Sequence, residues 1–194
     1  MLQRVCVFCG SSAGTRPVYV DEARELARVL TERGTELIYG GSHLGLMGVL
    51  ADTCLARGGR VTGVIPRALV EKEIAHRGLT KLHVVESMHE RKALMADLAE
   101  AFIALPGAFG TWEEFCEVLT WSQLGLHRKA CALLNVNSYY DPLLAMADRA
   151  QEEGFLRDVH RKLVLTDTDP ARLLDRLTEY VVPVVDKWID RQER

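Results

Sequence analysis

Basic residues do not outnumber acidic ones in this chain: 24 lysines and arginines face 27 aspartates and glutamates, a formal net charge of −3. Such a balance gives no electrostatic reason to expect nucleic acid or an anionic membrane as partner. Long apolar runs are also missing. None approaches the roughly 20 residues of a membrane-spanning helix, and the amino terminus lacks the charged-then-apolar pattern of a signal peptide. The expectation is a soluble, cytoplasmic protein. Cysteine is sparse, odd in number and irregularly spaced, at Cys6, Cys9, Cys54, Cys116 and Cys131. That argues against a disulfide framework and predicts five buried, reduced thiols in apolar surroundings. Cys6 and Cys9 form a CxxC, but their segment reads as a strand, where residues three apart point to opposite faces. The six histidines show no ligand spacing, so no zinc site is completed.

Two familiar nucleotide fingerprints are absent as well. No GxGxxG follows the first strand and there is no GxxxxGKS or GxxxxGKT, so neither a standard NAD site nor an ATPase loop is supported. What is present is the composition of an ordinary globular protein, 48% hydrophobic and 26% charged over 194 residues, enough for one domain. Short apolar runs at 4–9, 36–39, 60–65, 81–85, 101–105, 130–135 and 163–166 read as strands, most of them unalternating, as in a parallel sheet covered on both faces. Helical patterns fall between them, starting near Pro17 and ending before Gly34, then at 46–57, 88–100, 111–124, 141–153 and 170–181. This alternation predicts one Rossmann-like, doubly wound α/β domain over residues 1–183. Its sheet is mostly parallel, with about seven strands, and a helical or frayed tail follows at 184–194.

Eight of the fifteen glycines gather in three segments, each placed after a strand and before a helix. They are Gly10 and Gly14 in CGSSAG, four in YGGSHLGLMG, and Gly107 and Gly110 in LPGAFGT. Turns between strand and helix often need glycine for backbone reasons alone. Three on one sheet edge point further, to a nucleotide or sugar phosphate held by backbone amides. In the third segment Thr111 and Glu114 match the T-x-x-E of a capping box, so the glutamate either holds a helix start or works as an ionised carboxylate in a site. After the fourth strand, Ser87 and Glu90 form a second candidate capping box. Met88, Arg91, Lys92 and Met95 then share a helical face. That mixed face is either a ligand wall or a core stripe with snorkelling cations.

The segments CVFCGSS (6–12), YGGSHLGLMG (39–48), MHERK (88–92) and PGAFGTWEE (106–114) closely resemble the LOG (Lonely Guy) family. WSQLGLHRK and LLNVNSYYDPLL extend the similarity to Leu144, over most of the chain. These enzymes are cytokinin riboside 5′-monophosphate phosphoribohydrolases. The resemblance implies a Rossmann-like fold, usually homodimeric. The implied reaction releases an adenine-type base, often N6-prenylated, from a nucleoside 5′-monophosphate and leaves ribose 5-phosphate. By motif position it makes Arg91 and Glu114 the catalytic residues. Gly107, Ala108, Phe109, Gly110 and Thr111 fall on the phosphate loop, Gly41 and Ser42 on the second glycine loop, and Met88 and Lys92 on nucleotide-contacting positions. Lys92 and the amides near Gly110 would hold the phosphate.

No metal or cofactor is implied. Cleaving an N-glycosidic bond builds positive charge on the ribose, which an ionised Glu114 would stabilise while orienting water. Arg91, permanently charged, would fix the carboxylate and ribose or assist the departing base. The sequence departs from the family's PGGxGTxxE at Ala108, where a methyl costs about 1 kcal/mol or more if the position needs positive φ. Ala108 is also the feature that favours a non-catalytic nucleotide-binding or carrier protein of the same fold. A third class, a pyridoxal-phosphate-dependent lysine decarboxylase, finds no recognisable lysine context.

Overall fold

The computed structural model describes residues 2–72, 74–181 and 183. Its strands are β1 (Arg4–Phe8), β2 (Glu36–Tyr39), β3 (Val61–Pro66), β4 (Lys81–Val85), β5 (Ala101–Ala104), β6 (Ala130–Leu134) and β7 (Val164–Asp167). The long helices are α1 (Pro17–Glu32), α2 (Gly45–Ala56), α4 (Met88–Leu98), α5 (Phe109–Gln123), α6 (Asp141–Glu152) and α8 (Pro170–Glu179). All of these match runs expected from the sequence to within two residues at either end. Sequence periodicity misses three short pieces, α3 (Arg67–Val70), α7 (Asp158–Arg161) and a 3-10 turn at Val136–Ser138. None is longer than four residues, too short to display a 3.6-residue repeat. The expected tail at 184–194 lies outside the described residues.

The strands form one sheet in the order β4-β3-β2-β1-β5-β6-β7, with every pairing parallel. Helices cover both faces, which is why the strands are apolar on both sides. On one face Val5, Val7 and Leu37 pack with Leu26 and Leu30 of α1, Leu50 of α2 and Leu173 of α8. On the other, Phe8, Ile38 and Phe102 pack with Met95 of α4 and Phe115 of α5. Cys6 and Cys9 fall in different clusters, as alternation along a strand requires. Among the described residues, no group of three or more His, Cys, Asp or Glu side chains is placed to hold a metal ion.

One expectation fails here. Cys6, Cys9, Cys54 and Cys131 are buried, but Cys116 is exposed. It lies on the outer stripe of α5 with Trp112 and Thr120, four residues apart in each direction, while its sequence neighbour Phe115 faces the core.

The chain builds outward from β1 through β2 and β3 to β4, then returns through α4 to add β5 on the other side of β1. At such a reversal the loops leaving the two central strands diverge, and a crevice opens beyond the strands' carboxyl ends.

Candidate active site

The parallel register sets Phe8 of β1 beside Ala104 of β5, so the loops leaving these strands run side by side for their first residues before α1 and α5 turn to opposite faces of the sheet. The Leu105 N–H donates to the Phe8 carbonyl at 2.9 Å, and the Gly10 N–H to the Pro106 carbonyl at 3.1 Å. This close approach needs Gly107: a Cβ there would strike the Thr111 side chain and lie 2.9 Å from the Gly10 nitrogen. The loop after β2 joins them, with the Leu46 N–H donating to the Gly10 carbonyl at 3.1 Å. These loops enclose a cavity of about 510 Å³, walled also by Leu69 of α3, Ile74, Arg91 and Met95 of α4, and Tyr139. Small-molecule sites occupy roughly 300–1,000 Å³.

Helix α5 starts two residues earlier than expected. Its N-cap is Ala108, which offers no side-chain acceptor, so the free amides of the first turn remain without a side-chain cap. Ala108, Gly110 and Thr111 line the cavity, placing the positive end of the helix dipole against it. The contrast with α4 is direct, because there Ser87 Oγ caps the helix by accepting from the Glu90 N–H at 3.1 Å. The early start also corrects the capping-box reading of Glu114: Thr111 is already the third helical residue, and the glutamate lies too deep in the helix to hold its beginning. The second box closes on one side only, since Glu90 Oε2 accepts from the Glu86 N–H at 2.9 Å rather than from Ser87. Ala108 itself has φ −110° and ψ −151°, extended backbone that any residue adopts, so its methyl carries no conformational strain.

Arg91 and Glu114 meet inside the cavity, 8% and 9% exposed. Two of the guanidinium's three nitrogens are committed to backbone: Nε donates to the Val64 carbonyl and Nη2 to the Gly40 carbonyl, each at 3.1 Å. Gly40 makes room for this, because a Cβ would collide with Nη2. The remaining nitrogen, Nη1, lies 3.5 Å from Glu114 Oε1, an ion pair without a tight hydrogen bond. Burial pushes the Glu114 carboxyl up from its ordinary 4.5 to about 6, while Arg91 pulls it partly back. Desolvation is the largest effect on it, and the group is half-ionised at about pH 6.

Of the other residues singled out from sequence, Ser42, Gly107, Ala108, Gly110 and Thr111 line the cavity. Gly41, Met88, Lys92 and Phe109 do not. Gly41 bends the second loop at φ 73°. Met88 is 44% exposed and Phe109 82% exposed, on the outer surface. Lys92 Nζ binds Glu113 at 2.5 Å and Glu117 at 3.1 Å, so two carboxylates already neutralise it. The mixed face of α4 therefore divides, with Arg91 and Met95 lining the cavity and Met88 and Lys92 outside it.

The family model described as "Possible lysine decarboxylase" matches residues 47–177. The chain is 49% identical over 177 residues to the probable cytokinin riboside 5′-monophosphate phosphoribohydrolase LOGL1 of Oryza sativa subsp. japonica, covering 91% of this chain and 79% of that protein. It is 44% identical over 189 residues to the cytokinin riboside 5′-monophosphate phosphoribohydrolase LOG2 of Arabidopsis thaliana, covering 97% of this chain and 88% of the relative. The chain belongs to the LOG family.

Among solved structures, this LOG chain is similar to the molybdenum cofactor binding protein from Rippkaea orientalis, with TM-score 0.69, 16% identity, and 92% and 96% of the two chains covered. The Moco carrier protein from Chlamydomonas reinhardtii gives TM-score 0.67 at 19% identity, over 92% and 97%. Both likenesses concern the fold. The LOG chain's cavity also has walls that chemical patterning did not single out: Ser11, Ser12, Tyr19, Leu69, Ile74 and Tyr139. Ser11 and Ser12 lie inside the first glycine segment, where only the glycines carried a signal. Tyr139 and Tyr140 lie in the quoted segment LLNVNSYYDPLL but belong to no spacing that marks chemistry.

Proposed function

We propose that this protein is a phosphoribohydrolase that cleaves the N-glycosidic bond of AMP-type or N6-prenylated adenosine 5′-monophosphates. The products are the free base, adenine or a cytokinin, and ribose 5-phosphate. The names of its relatives support the reaction class. The observation that carries the reading to this chain's residues is a buried Arg91–Glu114 pair sharing one cavity with a helix start that no side chain caps.

The free amides of α5 and the Thr111 hydroxyl receive the 5′-phosphate. Glu114, ionised above about pH 6, faces the anomeric carbon, stabilises the positive charge that develops there and orients water. As the carbon–nitrogen bond breaks, its electron pair leaves with the base, the water oxygen bonds to the anomeric carbon and gives up one proton to Glu114, and the base takes up one proton from solvent, so that the sum is addition of one water. Arg91 keeps its charge throughout, so it acts by holding the carboxylate and ribose rather than by donating a proton. Lys92, engaged with Glu113 and Glu117, supports the α4–α5 contact next to the site.

Two competing readings have less support. The non-catalytic carrier rested on Ala108, whose backbone conformation is ordinary. The lysine decarboxylase reading needs a lysine to hold pyridoxal phosphate, and none lines this cavity among the described residues. A homodimer and a cytoplasmic location belong to the same proposal. Exposed Phe109 and Trp112, in edge-to-face contact at 5.3 Å on α5, favour a subunit interface there. Sedimentation at twice the monomer mass checks the dimer, and cell fractionation checks the location. The reaction is tested by a panel of AMP, N6-isopentenyl-AMP and non-adenine monophosphates, with free base and ribose 5-phosphate measured separately. Equal amounts of both products from the adenine nucleotides are expected. Binding without any base release would sink the reading.

A further inference from the structure

The loop that opens α5 is held from outside by two tyrosines that follow β6. Tyr140, fully buried, donates its hydroxyl to the Leu105 carbonyl at 2.6 Å. Tyr139, which also lines the cavity, donates its hydroxyl to the Gly107 carbonyl. Between these two, the Pro106 carbonyl accepts from Gly10. All three carbonyls of the 105–107 segment are thus bound within the protein.

A trans peptide is planar, with its C=O and N–H pointing in opposite directions. Whatever holds the Gly107 carbonyl therefore sets the direction of the Ala108 N–H, the donor at the very start of α5. No side chain of the loop itself does this, since Gly107 has none and Ala108 offers only a methyl.

The turn that presents Tyr139 is costly. Asn137 and Ser138, immediately before it, both adopt positive φ, 50° and 59°, and they are the non-glycine residues found there among those described. Left-handed backbone at non-glycine residues is strained and persists where surrounding structure enforces it. Here the enforcement is visible. Asn135 Oδ1 accepts from the Tyr140 N–H at 2.7 Å, and its amide donates to Asp141 at 2.7 Å. The Tyr139 ring is further fixed edge-on against Tyr140 at 5.1 Å and Tyr19 at 6.0 Å.

We infer that Tyr139 is a positioning residue for the phosphate, its hydroxyl orienting the Gly107–Ala108 peptide so that the start of α5 binds the 5′-phosphate. This rests on the phosphoribohydrolase reading for the identity of the anion. It goes beyond that reading in assigning affinity for the phosphate, rather than the bond-breaking step, to a residue outside the α5 loop.

The test is Tyr139→Phe, which keeps the ring and its packing but removes the donor. Losing one such hydrogen bond corresponds to a weakening of roughly tenfold. Equilibrium binding of ribose 5-phosphate is expected to weaken about tenfold while ribose binding stays unchanged. In turnover, KM for the nucleotide rises by a similar factor with kcat within about twofold. Unchanged ribose 5-phosphate binding would overturn the inference. So would equal losses for ribose and ribose 5-phosphate, or a fall in kcat at constant KM. The binding measurement does not depend on turnover. If wild-type protein released no base, the functional reading would fail while the role of Tyr139 in anion binding would still be decided.

Discussion

Arg91 depends on a residue 51 positions earlier in the chain. Its guanidinium is fixed by the carbonyls of Val64 and Gly40, and the absence of a side chain at Gly40 is what lets Nη2 lie where it does. Gly40→Ala is therefore expected to push the guanidinium away from Glu114. Misplacing a reacting group by about 1 Å can cost of the order of a hundredfold in rate. The check is kcat/KM for AMP beside a thermal melt: a large loss of activity with a cooperative transition is expected, and full activity would show that Arg91 is not held this way. MHERK and PGAFGTWEE were enough to single out Arg91 and Glu114 from sequence. Their partners and protonation were not legible. The pair's burial, which raises the Glu114 pKa, comes from α4 and α5 closing over β1, β3 and β5, and no local pattern encodes it. The exposed Cys116 and the paired Lys92 escaped for the same reason, since which face of a helix meets a neighbour is decided by tertiary packing.

At the scale of elements, the strands and long helices were readable because both sheet faces are covered and the helices run for ten residues or more. The boundary that matters most, the start of α5, was misplaced by two residues. T-x-x-E imitates a capping box, whereas the helix begins at an alanine without a cap. Natural helices usually satisfy this end with Ser, Thr, Asp or Asn. Leaving it open gives up stability in exchange for an anion site. Ala108→Asp should thus move two properties in opposite directions. A capping carboxylate is expected to stabilise the fold by about 1 kcal/mol. It would also occupy the amides and repel the phosphate, raising KM for the nucleotide more than tenfold. A melt and a KM determination on one sample decide it, and an unchanged KM would remove α5 from the phosphate site.

Across the whole molecule, the reversal of strand order at β1 and β5 brings together groups that lie far apart in sequence. The glycine segments after β1, β2 and β5 were legible as one edge because parallel strands all point the same way. The contribution from beyond β6 was not, since Tyr139 arrives through a strained turn with no characteristic spacing. The cavity joins an uncapped helix start to one buried ion pair, and the central claim is that Glu114 works there as a carboxylate with a raised pKa. Base release from saturating adenine nucleotide, followed from about pH 5 to pH 8 in wild type and Glu114→Gln, tests it most directly. Saturation matters because the substrate's own phosphate titrates near pH 6. Wild-type kcat should fall on the acid side with a one-proton slope, at or above the value of about 6 that burial sets in the free protein, because bound nucleotide takes further water from the carboxyl. The variant should be slower by roughly a hundredfold or more, without that acid limb. Near-wild-type turnover by Glu114→Gln, or a wild-type limb at the ordinary carboxylate value, would contradict the claim.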